Sequence, residues 1–429
     1  MYNIEHSNNY KFAGYDTVEL AKKYGTPLYV LSEEIIRSKC REIKTDFIEK
    51  YENTKAAYAS KAFLTMAMCK IIESEGLGLD VVSGGELYTA IKAGFPMDRV
   101  MLHGNNKSYE EIEMAIGNDV GRIIVDHIDE LYMIEEIASR MDKTVKILIR
   151  VAPGVEGNTH KYITTGQKDS KFGIPLSKET IDEAVVKAMN SKHIELMGFH
   201  FHIGSNLFDN DCYVAAINVV LNLYRRLKDD FGFIAKEINT GGGFGIYYTK
   251  DDCVKPLRYF TDTIMKTIMD KCKQLELDLP AVIIEPGRWI VGEAGITLYS
   301  IGAVKEIPGI RTYASVNGGL PDNPRPALYS ARYDAVVANK YGQEPDRLVT
   351  IAGRCCESGD VLIWDLKTPE IKRGDILAVL STGAYNYSMA SNYNKIPRPA
   401  VVLLTKDGEK VIVERETYED LLSRERIPF

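Results

Sequence analysis

The chain has 429 residues, of which 45% are hydrophobic and 26% charged, and this is ordinary globular composition. A chain of this length predicts one large domain and a second one. The formal net charge of −7 argues against a general affinity for nucleic acid or for anionic membranes.

The N-terminal stretch MYNIEHSNNYKF contains no basic run followed by an apolar one, so we expect no secretory signal. The seven cysteines are scattered, odd in number and not spaced as a zinc site, which is typical of a reducing compartment. The most apolar region, near 281–304, is interrupted by charged residues and by Pro286, so it is too polar to span a bilayer. These features predict a cytoplasmic protein.

The segment GTPLYVLS (25–32) is strand-like and lies outside the alternation that follows, so we expect it to join a second domain. From about residue 55, short apolar runs alternate with helix-period runs such as 83–94, 108–117 and 129–141. Eight β-then-α steps predict an α/β fold of the (β/α)8 TIM barrel type. The predicted strands are 55–60, 77–82, 99–103, 122–126, 145–151, 194–202, 237–240 and 281–286.

A doubly wound open sheet is the alternative, but such a sheet usually has a glycine fingerprint after its first strand. Here Lys61 follows the first strand, and the glycines follow the seventh. After Trp289, short strand-like runs separated by turn residues predict a C-terminal β-domain, either a sandwich or a barrel. The predicted domains are 1–35, which joins the β-domain, 36–288 for the barrel, and 289–429 for the β-domain.

The active site of such a barrel lies at the C-terminal ends of the strands. Lys61 ends the first strand, where desolvation can lower the pKa of a lysine and make it a nucleophile toward an aldehyde. The alternative for Lys61 is a surface lysine at the start of a loop.

Two histidines, His200 and His202, lie two positions apart on the sixth predicted strand, so we expect both to face one side of it. They are candidates for metal ligands, for stacking on an aromatic ligand, or for hydrogen-bonded positions in the core. No neighbouring spacing of acidic residues or histidines completes a metal site, so we expect no metal.

The run Gly241–Gly243 follows the seventh strand, and EPGR (285–288) follows the eighth. In such barrels these two loops often bind phosphate through backbone N–H groups. The alternative for the three glycines is a tight turn without a ligand. Glu285 could hold a protonated ring nitrogen, the arrangement that makes pyridoxal phosphate an electron sink. A lysine for the aldehyde, glycines for the phosphate and an acid for the ring nitrogen together predict pyridoxal 5′-phosphate.

If the glycines form a phosphate cradle, side chains at Gly242 or Gly243 should weaken cofactor affinity more than fold stability.

In the β-domain, CCESGD (355–360) supplies a thiol and a carboxylate, and TGAY (382–385) supplies a tyrosine. A positioned cysteine can donate a proton, whereas the alternative for Cys356 is a buried, inert thiol.

Seven motifs resemble those of the fold type III decarboxylases that use pyridoxal phosphate, most closely the diaminopimelate decarboxylases. They occur in the family's order over about residues 25–400, nearly the whole chain. The segment NTHKYITTGQKDSKFG (158–173) is also similar to these enzymes rather than to ornithine or arginine decarboxylases. The motifs are YASKAF, GFHFHIGSN, NTGGGFG, EPGRWIV, RPALY, CCESGD and TGAY.

The resemblance implies decarboxylation of meso-2,6-diaminopimelate to L-lysine, the last step of lysine biosynthesis, by a homodimer whose subunits share their active sites. It implies that Lys61 bonds to the cofactor aldehyde, that His202 stacks on the ring, and that Cys356 of the partner subunit donates a proton to the α-carbon. The implied cofactor-binding residues are Lys61, His202, Ser205, Gly242, Gly243, Glu285, Pro286, Gly287, Arg288 and Tyr385. The implied substrate-binding residues are Arg288, Arg325, Tyr329, Glu357 and Tyr385.

Four other functions stay open at this point: decarboxylation of a related acid such as carboxynorspermidine or D-ornithine, alanine racemisation, cofactor binding without catalysis, and metal-dependent hydrolysis through His200 and His202. Arg325 and the segment 158–173 favour diaminopimelate, because a guanidinium binds a remote carboxylate in a bidentate manner. The CCESGD segment is foreign to the racemases, and the β-domain is foreign to the non-catalytic barrels.

Overall fold

The structure is a computed structural model that describes residues 8–154 and 170–429, and these form two compact units. The barrel unit consists of Arg37–Ile246 and Cys253–Ile290. The sheet unit consists of the described chain up to Ile36, Tyr247–Asp252 and Val291–Phe429. No helix in the described part is long and apolar enough to cross a membrane.

The chain begins with a short antiparallel pair and a helix. Asp16 caps this helix, because its carboxylate accepts hydrogen bonds from the backbone N–H groups of Val18 and Glu19. The first elements are β1 (Lys11–Phe12), β2 (Tyr15–Asp16), α1 (Thr17–Tyr24) and β3 (Leu28–Ser32).

Eight parallel strands close into a barrel, which confirms the predicted (β/α)8 fold and excludes the open sheet. Each strand pairs with the next, the eighth pairs with the first through Ile283 and Lys55, and the short strand Ile174–Pro175 pairs in parallel with the end of the fifth. The barrel region contains β4 (Thr54–Ala59), β5 (Gly78–Val81), β6 (Val100–Leu102), β7 (Arg122–Val125), β8 (Val145–Ala152), β9 (Ile174–Pro175), β10 (Ile194–His200), β11 (Glu237–Asn239) and β12 (Ala281–Ile284).

The barrel strands are short runs of aliphatic residues that are buried on both faces, as parallel strands covered by helices require. One buried layer inside the barrel consists of Ala57, Met101, Ile124, Leu148, Met197 and Ile283. The helices that lead into the barrel and connect its strands are α2 (Glu33–Ile43), α3 (Met66–Ser74), α4 (Gly84–Lys92), α5 (Tyr109–Gly117), α6 (Ile128–Arg140), α7 (Lys178–Asn190), α8 (Asp211–Phe231) and α9 (Leu257–Leu275).

An ion-pair cluster lies at the N-terminal ends of the barrel strands. Glu237, which begins β11 and is almost fully buried, accepts hydrogen bonds from Arg122 Nε at 2.7 Å and Nη2 at 2.6 Å, and from Lys55 Nζ at 3.1 Å. Such bidentate pairs are strong because both N–H groups of the fork are used. The charges of these residues are thus paired at this end of the barrel, and the opposite end carries Lys61, His200 and Glu285.

The sheet unit contains one connected mixed sheet. β3 lies between β13, to which it is antiparallel, and β19, to which it is parallel, so the prediction that the N-terminal strand joins this sheet is confirmed. The elements that follow the barrel are α10 (Arg288–Val291), β13 (Gly295–Ile307), β14 (Arg311–Val316), α11 (Arg325–Tyr329), β15 (Ala335–Val337), β16 (Arg347–Ala352), β17 (Val361–Thr368), β18 (Ile376–Val379), β19 (Ala400–Thr405), β20 (Gly408–Val413) and α12 (Tyr418–Leu422).

The sheet unit takes in one short segment from the middle of the chain, while the domain boundaries predicted from the sequence stay predictions. Residues 247–252 belong to the sheet unit, although the sequence assigned them to the barrel. The Tyr248 ring meets the Tyr333 ring edge-on, with centroids 5.3 Å apart, and the Tyr247 hydroxyl donates to Asp334 at 2.7 Å. Aromatic packing therefore attaches this segment to residues far along the chain, which no local pattern could show.

Candidate active site

The C-terminal ends of the barrel strands bring together a lysine, histidines and a buried carboxylate. Lys61 lies in the short 3-10 turn Ser60–Ala62 that follows β4 directly, and it is partly buried. His200 is the last residue of β10, His103 follows β6, and Glu285 follows β12. All three of these are buried. The predicted clustering at this end of the barrel is therefore present for the residues of the barrel unit.

Glu285 is the centre of a buried polar cluster. Its Oε2 lies 3.1 Å from His200 Nε2, and its Oε1 lies 2.9 Å from His103 Nε2. Asn239 Nδ2 donates a hydrogen bond of 2.7 Å to the same Oε1. A carboxylate that accepts several donors is favoured in its ionised form even when it is buried.

The pKa values of this cluster follow from its burial and its neighbours. Burial alone would raise the pKa of Glu285, but His103 and His200 more than offset this and hold it well below its usual range. Burial lowers the pKa of His200 to about 4, against the opposing effect of Glu285. At neutral pH, His200 is therefore a neutral imidazole that donates its Nε2–H to an ionised Glu285.

Two further charged residues line the same region, and the sequence did not single them out. Asp80 on β5 is buried, and its Oδ1 lies 3.6 Å from His103 Nε2; burial raises the pKa of this carboxyl. Arg150 on β8 is also buried, which lowers its pKa, while Asp126, Glu285 and Asp80 act in the opposite direction. A charged residue within an apolar strand run was the available signal for both.

His202 differs from His200 in its surroundings. β10 ends at His200, so the argument from strand alternation does not extend to His202. Its Nδ1 accepts a hydrogen bond of 3.3 Å from the backbone N–H of Gly242. Burial, followed by the charge of Lys61, keeps the pKa of His202 well below its usual value. His202 is thus a neutral ring beside the glycine loop, whereas His200 belongs to the carboxylate cluster.

The three glycines are required by close approach of the backbone. A Cβ on Gly242 would lie 2.0 Å from the carbonyl oxygen of Glu285, and one on Gly243 would lie 2.4 Å from that of Gly204. Gly241 and Gly243 also adopt positive φ angles of 68° and 112°. Only glycine fits such positions without strain.

This geometry argues against the expectation that substitutions here would affect cofactor affinity more than stability. The loop after β11 packs directly on the chain that follows β12, so a side chain at Gly242 would separate two neighbouring backbone segments.

The loop after β12 supplies a cation close to the glycine loop. Arg288 is buried and donates from Nη2 to the Ser205 hydroxyl at 3.0 Å. A Cβ on Gly287 would lie 2.9 Å from the Cβ of Ala59, and Pro286 O accepts from Ala59 N at 3.4 Å. This loop is therefore fixed against β4, which leads to Lys61. An arginine, a hydroxyl and nearby backbone N–H groups are suitable donors for a phosphate.

In the sheet unit, Arg325 begins α11 and is buried among aromatic rings. Its guanidinium donates to the Tyr333 hydroxyl and lies 5.0 Å from the centroid of the Tyr248 ring. Although burial alone would lower the pKa of Arg325, these tyrosines raise it overall. Tyr329, at the other end of α11, is partly exposed, and Tyr385 adopts a positive φ of 64°, which is unusual for a bulky residue.

The loop that contains CCESGD distinguishes its two cysteines. Cys355 donates its backbone N–H to Asp360 at 2.8 Å, and burial raises the pKa of its thiol to about 12. Cys356 is exposed, and its backbone N–H bonds to Asn394 at 2.9 Å. Glu357 is also exposed. Cys356 is therefore not the buried thiol that was the alternative from the sequence.

Within the described residues, one group of side chains could hold a metal ion: His103, His200 and Glu285, whose ligand atoms lie within 4.8 Å of one another. The sequence did not foresee it, because His103 and Glu285 are far from His200 along the chain. Of the segment 158–173, residues 158–169 lie outside the described part of the chain.

The barrel matches a known family. A family model described as "Pyridoxal-dependent decarboxylase, pyridoxal binding domain" matches residues 33–292. The barrel with Lys61 after β4 and the glycine loop after β11 is thus that of a pyridoxal-dependent decarboxylase.

The whole chain matches more specific relatives. It is 48% identical to the diaminopimelate decarboxylase of Bacillus subtilis (strain 168) over 98% of this chain and 95% of that one. The crystal structure of the M. jannaschii diaminopimelate decarboxylase in complex with L-lysine has a TM-score of 0.92 at 36% identity, covering 99% and 97% of the two chains. The Helicobacter pylori enzyme complexed with L-lysine has a TM-score of 0.85 at 31% identity, covering 94% and 98%. The chain belongs to the diaminopimelate decarboxylase family, and it is a decarboxylase.

A substitution in the glycine loop tests whether the loop contributes both to fold stability and to cofactor binding. Gly242→Ala should destabilise the apoenzyme by about 1–3 kcal/mol, because the new Cβ meets a backbone oxygen that has no room to move, and it should also weaken cofactor binding. Urea unfolding of the apoenzyme and titration with pyridoxal phosphate measure the two effects. Gly85→Ala is the control, because Gly85 is exposed and its Cβ would meet only Ser83 Oγ, at 3.8 Å. An unchanged unfolding midpoint for Gly242→Ala would contradict this interpretation.

Proposed function

We propose that the enzyme converts meso-2,6-diaminopimelate to L-lysine and carbon dioxide, using pyridoxal 5′-phosphate bound at the barrel site with Lys61 as its covalent anchor. The observation that carries the proposal is the near full-length similarity to diaminopimelate decarboxylases, two of whose solved structures hold L-lysine. A cytoplasmic location is part of the same proposal.

The barrel residues fit this cofactor. The guanidinium of Arg288 and the Ser205 hydroxyl, close to the glycine loop, suit the phosphate. The carboxylate of Glu285, kept ionised by its neighbours, suits a protonated ring nitrogen. A metal at His103, His200 and Glu285 would neutralise that carboxylate and take it from this role, so we favour the cofactor over the metal.

When bound, pyridoxal phosphate supplies an electron sink for the electron pair that remains as carbon dioxide leaves. Three residues of this chain are suited to hold the cofactor in the state in which it accepts electrons. Glu285 holds a proton at the ring nitrogen, because an ionised carboxylate stabilises an adjacent pyridinium charge. His202, neutral and hydrogen-bonded to Gly242, offers an uncharged ring for stacking on the cofactor. Lys61 would supply the amine that holds the cofactor through its aldehyde.

A second carboxylate on the substrate distinguishes diaminopimelate from simpler amino acids. We assign recognition of that carboxylate to Arg288, Arg325 and Tyr329, with Glu357 near the distal amino group and Tyr385 at the cofactor and substrate. Arg325 stays charged in its aromatic surroundings, so it can bind a carboxylate at any pH at which the protein is folded.

Cys356 is assigned as the donor of a proton to the α-carbon, and with Glu357 it would act in the active site of the partner subunit of a homodimer. Support comes from the exposure of both residues and from the backbone bond between Cys356 and Asn394, which fixes the loop in an accessible position. An exposed thiol is suited to complete a site on a second chain.

The substrate assignment is tested by a panel assay of carbon dioxide release. We expect meso-diaminopimelate to be decarboxylated to L-lysine with a kcat/KM at least about 100-fold above those of D-ornithine and carboxynorspermidine, because the buried arginine then binds its carboxylate partner. Arg325→Lys should raise KM for diaminopimelate by about tenfold, because a lysine cannot form the bidentate contact. Turnover of another acid without lysine formation would contradict the assignment.

Subunit complementation tests the shared site. Lys61→Ala should abolish the visible absorbance of covalently bound cofactor, and Cys356→Ala should lower turnover by about 100-fold while leaving that absorbance intact. Mixed and re-assembled dimers of the two variants should regain about a quarter of wild-type activity, because half of the dimers then contain one intact site. If the mixture stays inactive although heterodimers form, each site is built from a single chain.

A further inference from the structure

We infer that Asn239 is a positioning residue that holds the glycine loop and the Glu285 carboxylate in a fixed relation, so that phosphate and ring nitrogen are bound together. The inference rests on the proposed cofactor, and it concerns a residue to which the resemblance assigned no role.

The Asn239 amide connects the two loops through both of its polar atoms. Nδ2 donates to Glu285 Oε1 at 2.7 Å, and Oδ1 accepts from the backbone N–H of Gly241 at 2.9 Å. A backbone bond closes the ring, because Glu285 N donates to Gly241 O at 2.8 Å. Asn239 is fully buried, so no water competes for these bonds.

The orientation of the amide is determined by chemistry. The backbone N–H of Gly241 can only donate, so the atom that faces it is the amide oxygen. The amide nitrogen therefore faces Glu285, which has to accept and so has to keep a lone pair available at Oε1. The bond to Gly241 thus fixes the orientation of the amide and keeps Glu285 Oε1 in the role of acceptor.

An aspartate in place of Asn239 could not perform both tasks. Its ionised side chain would still accept from Gly241 but would place a second negative charge against Glu285, and one of the two carboxyls would take up a proton. An apolar side chain would leave the buried N–H of Gly241 without the partner it has here and would remove one donor from Glu285, at a cost greater than that of the bonds themselves.

The experiment compares cofactor analogues on wild type, Asn239→Ala and Asn239→Ser apoenzymes. Binding is measured for pyridoxal phosphate, for pyridoxal, which lacks the phosphate, and for the 1-deaza analogue, which lacks the ring nitrogen. In wild type, each missing group should weaken binding strongly. In both variants, the loss caused by either missing group should shrink by about tenfold or more, because neither the loop nor the carboxylate is held in place.

Asn239→Asp should show the same reduced discrimination against the 1-deaza analogue. Asn218→Asp is the matched control, because the Asn218 amide donates within helix α8, to Val214 O at 2.8 Å. Urea unfolding of each apoenzyme shows whether the variant is folded, and Asn239→Ser keeps the test available if Asn239→Ala is not. An equal loss of affinity for all three compounds would overturn the inference in favour of a purely structural role. Failure of the wild type to bind pyridoxal phosphate would instead overturn the proposed function.

Discussion

The ionised carboxylate of Glu285, buried between two histidines and an asparagine, is the interaction on which the rest of the site depends. A carboxylate is expensive to bury unless donors satisfy it. His103, His200 and Asn239 come from three different strand ends, and Glu285 itself follows a fourth. The charge is therefore stable only when the barrel is closed and these strands are in register.

The same closure explains why the loops are rich in glycine. The chain after β11 has to pass within backbone contact of Glu285, and Gly242 leaves room for its carbonyl oxygen. The Gly241 N–H then reaches Asn239, and the Gly242 N–H reaches His202. The close packing of the glycine loop on the chain after β12 therefore accompanies the hydrogen bonds that surround the Glu285 carboxylate. At the other end of the barrel, Arg122 and Glu237 pair with each other through two hydrogen bonds, so the Glu237 carboxylate is already occupied.

Much of this architecture could be predicted from the sequence, because strand periodicity and order along the chain are local properties. All eight barrel strands were found, and Lys61, the glycine run and EPGR lie at the expected strand ends. Asp80, Arg150 and Asn239 were missed, because their roles depend on partners on other strands. The domain boundaries, the site roles and the homodimer stay predictions.

The protonation state of the bound cofactor tests the central claim most directly. The holoenzyme is reconstituted with pyridoxal phosphate labelled with ¹⁵N in the ring, and the ring-nitrogen chemical shift is recorded between pH 6 and pH 9. An ionised Glu285 next to the ring predicts the shift of a protonated pyridinium throughout that range. The shift of a neutral pyridine nitrogen at neutral pH would contradict the account.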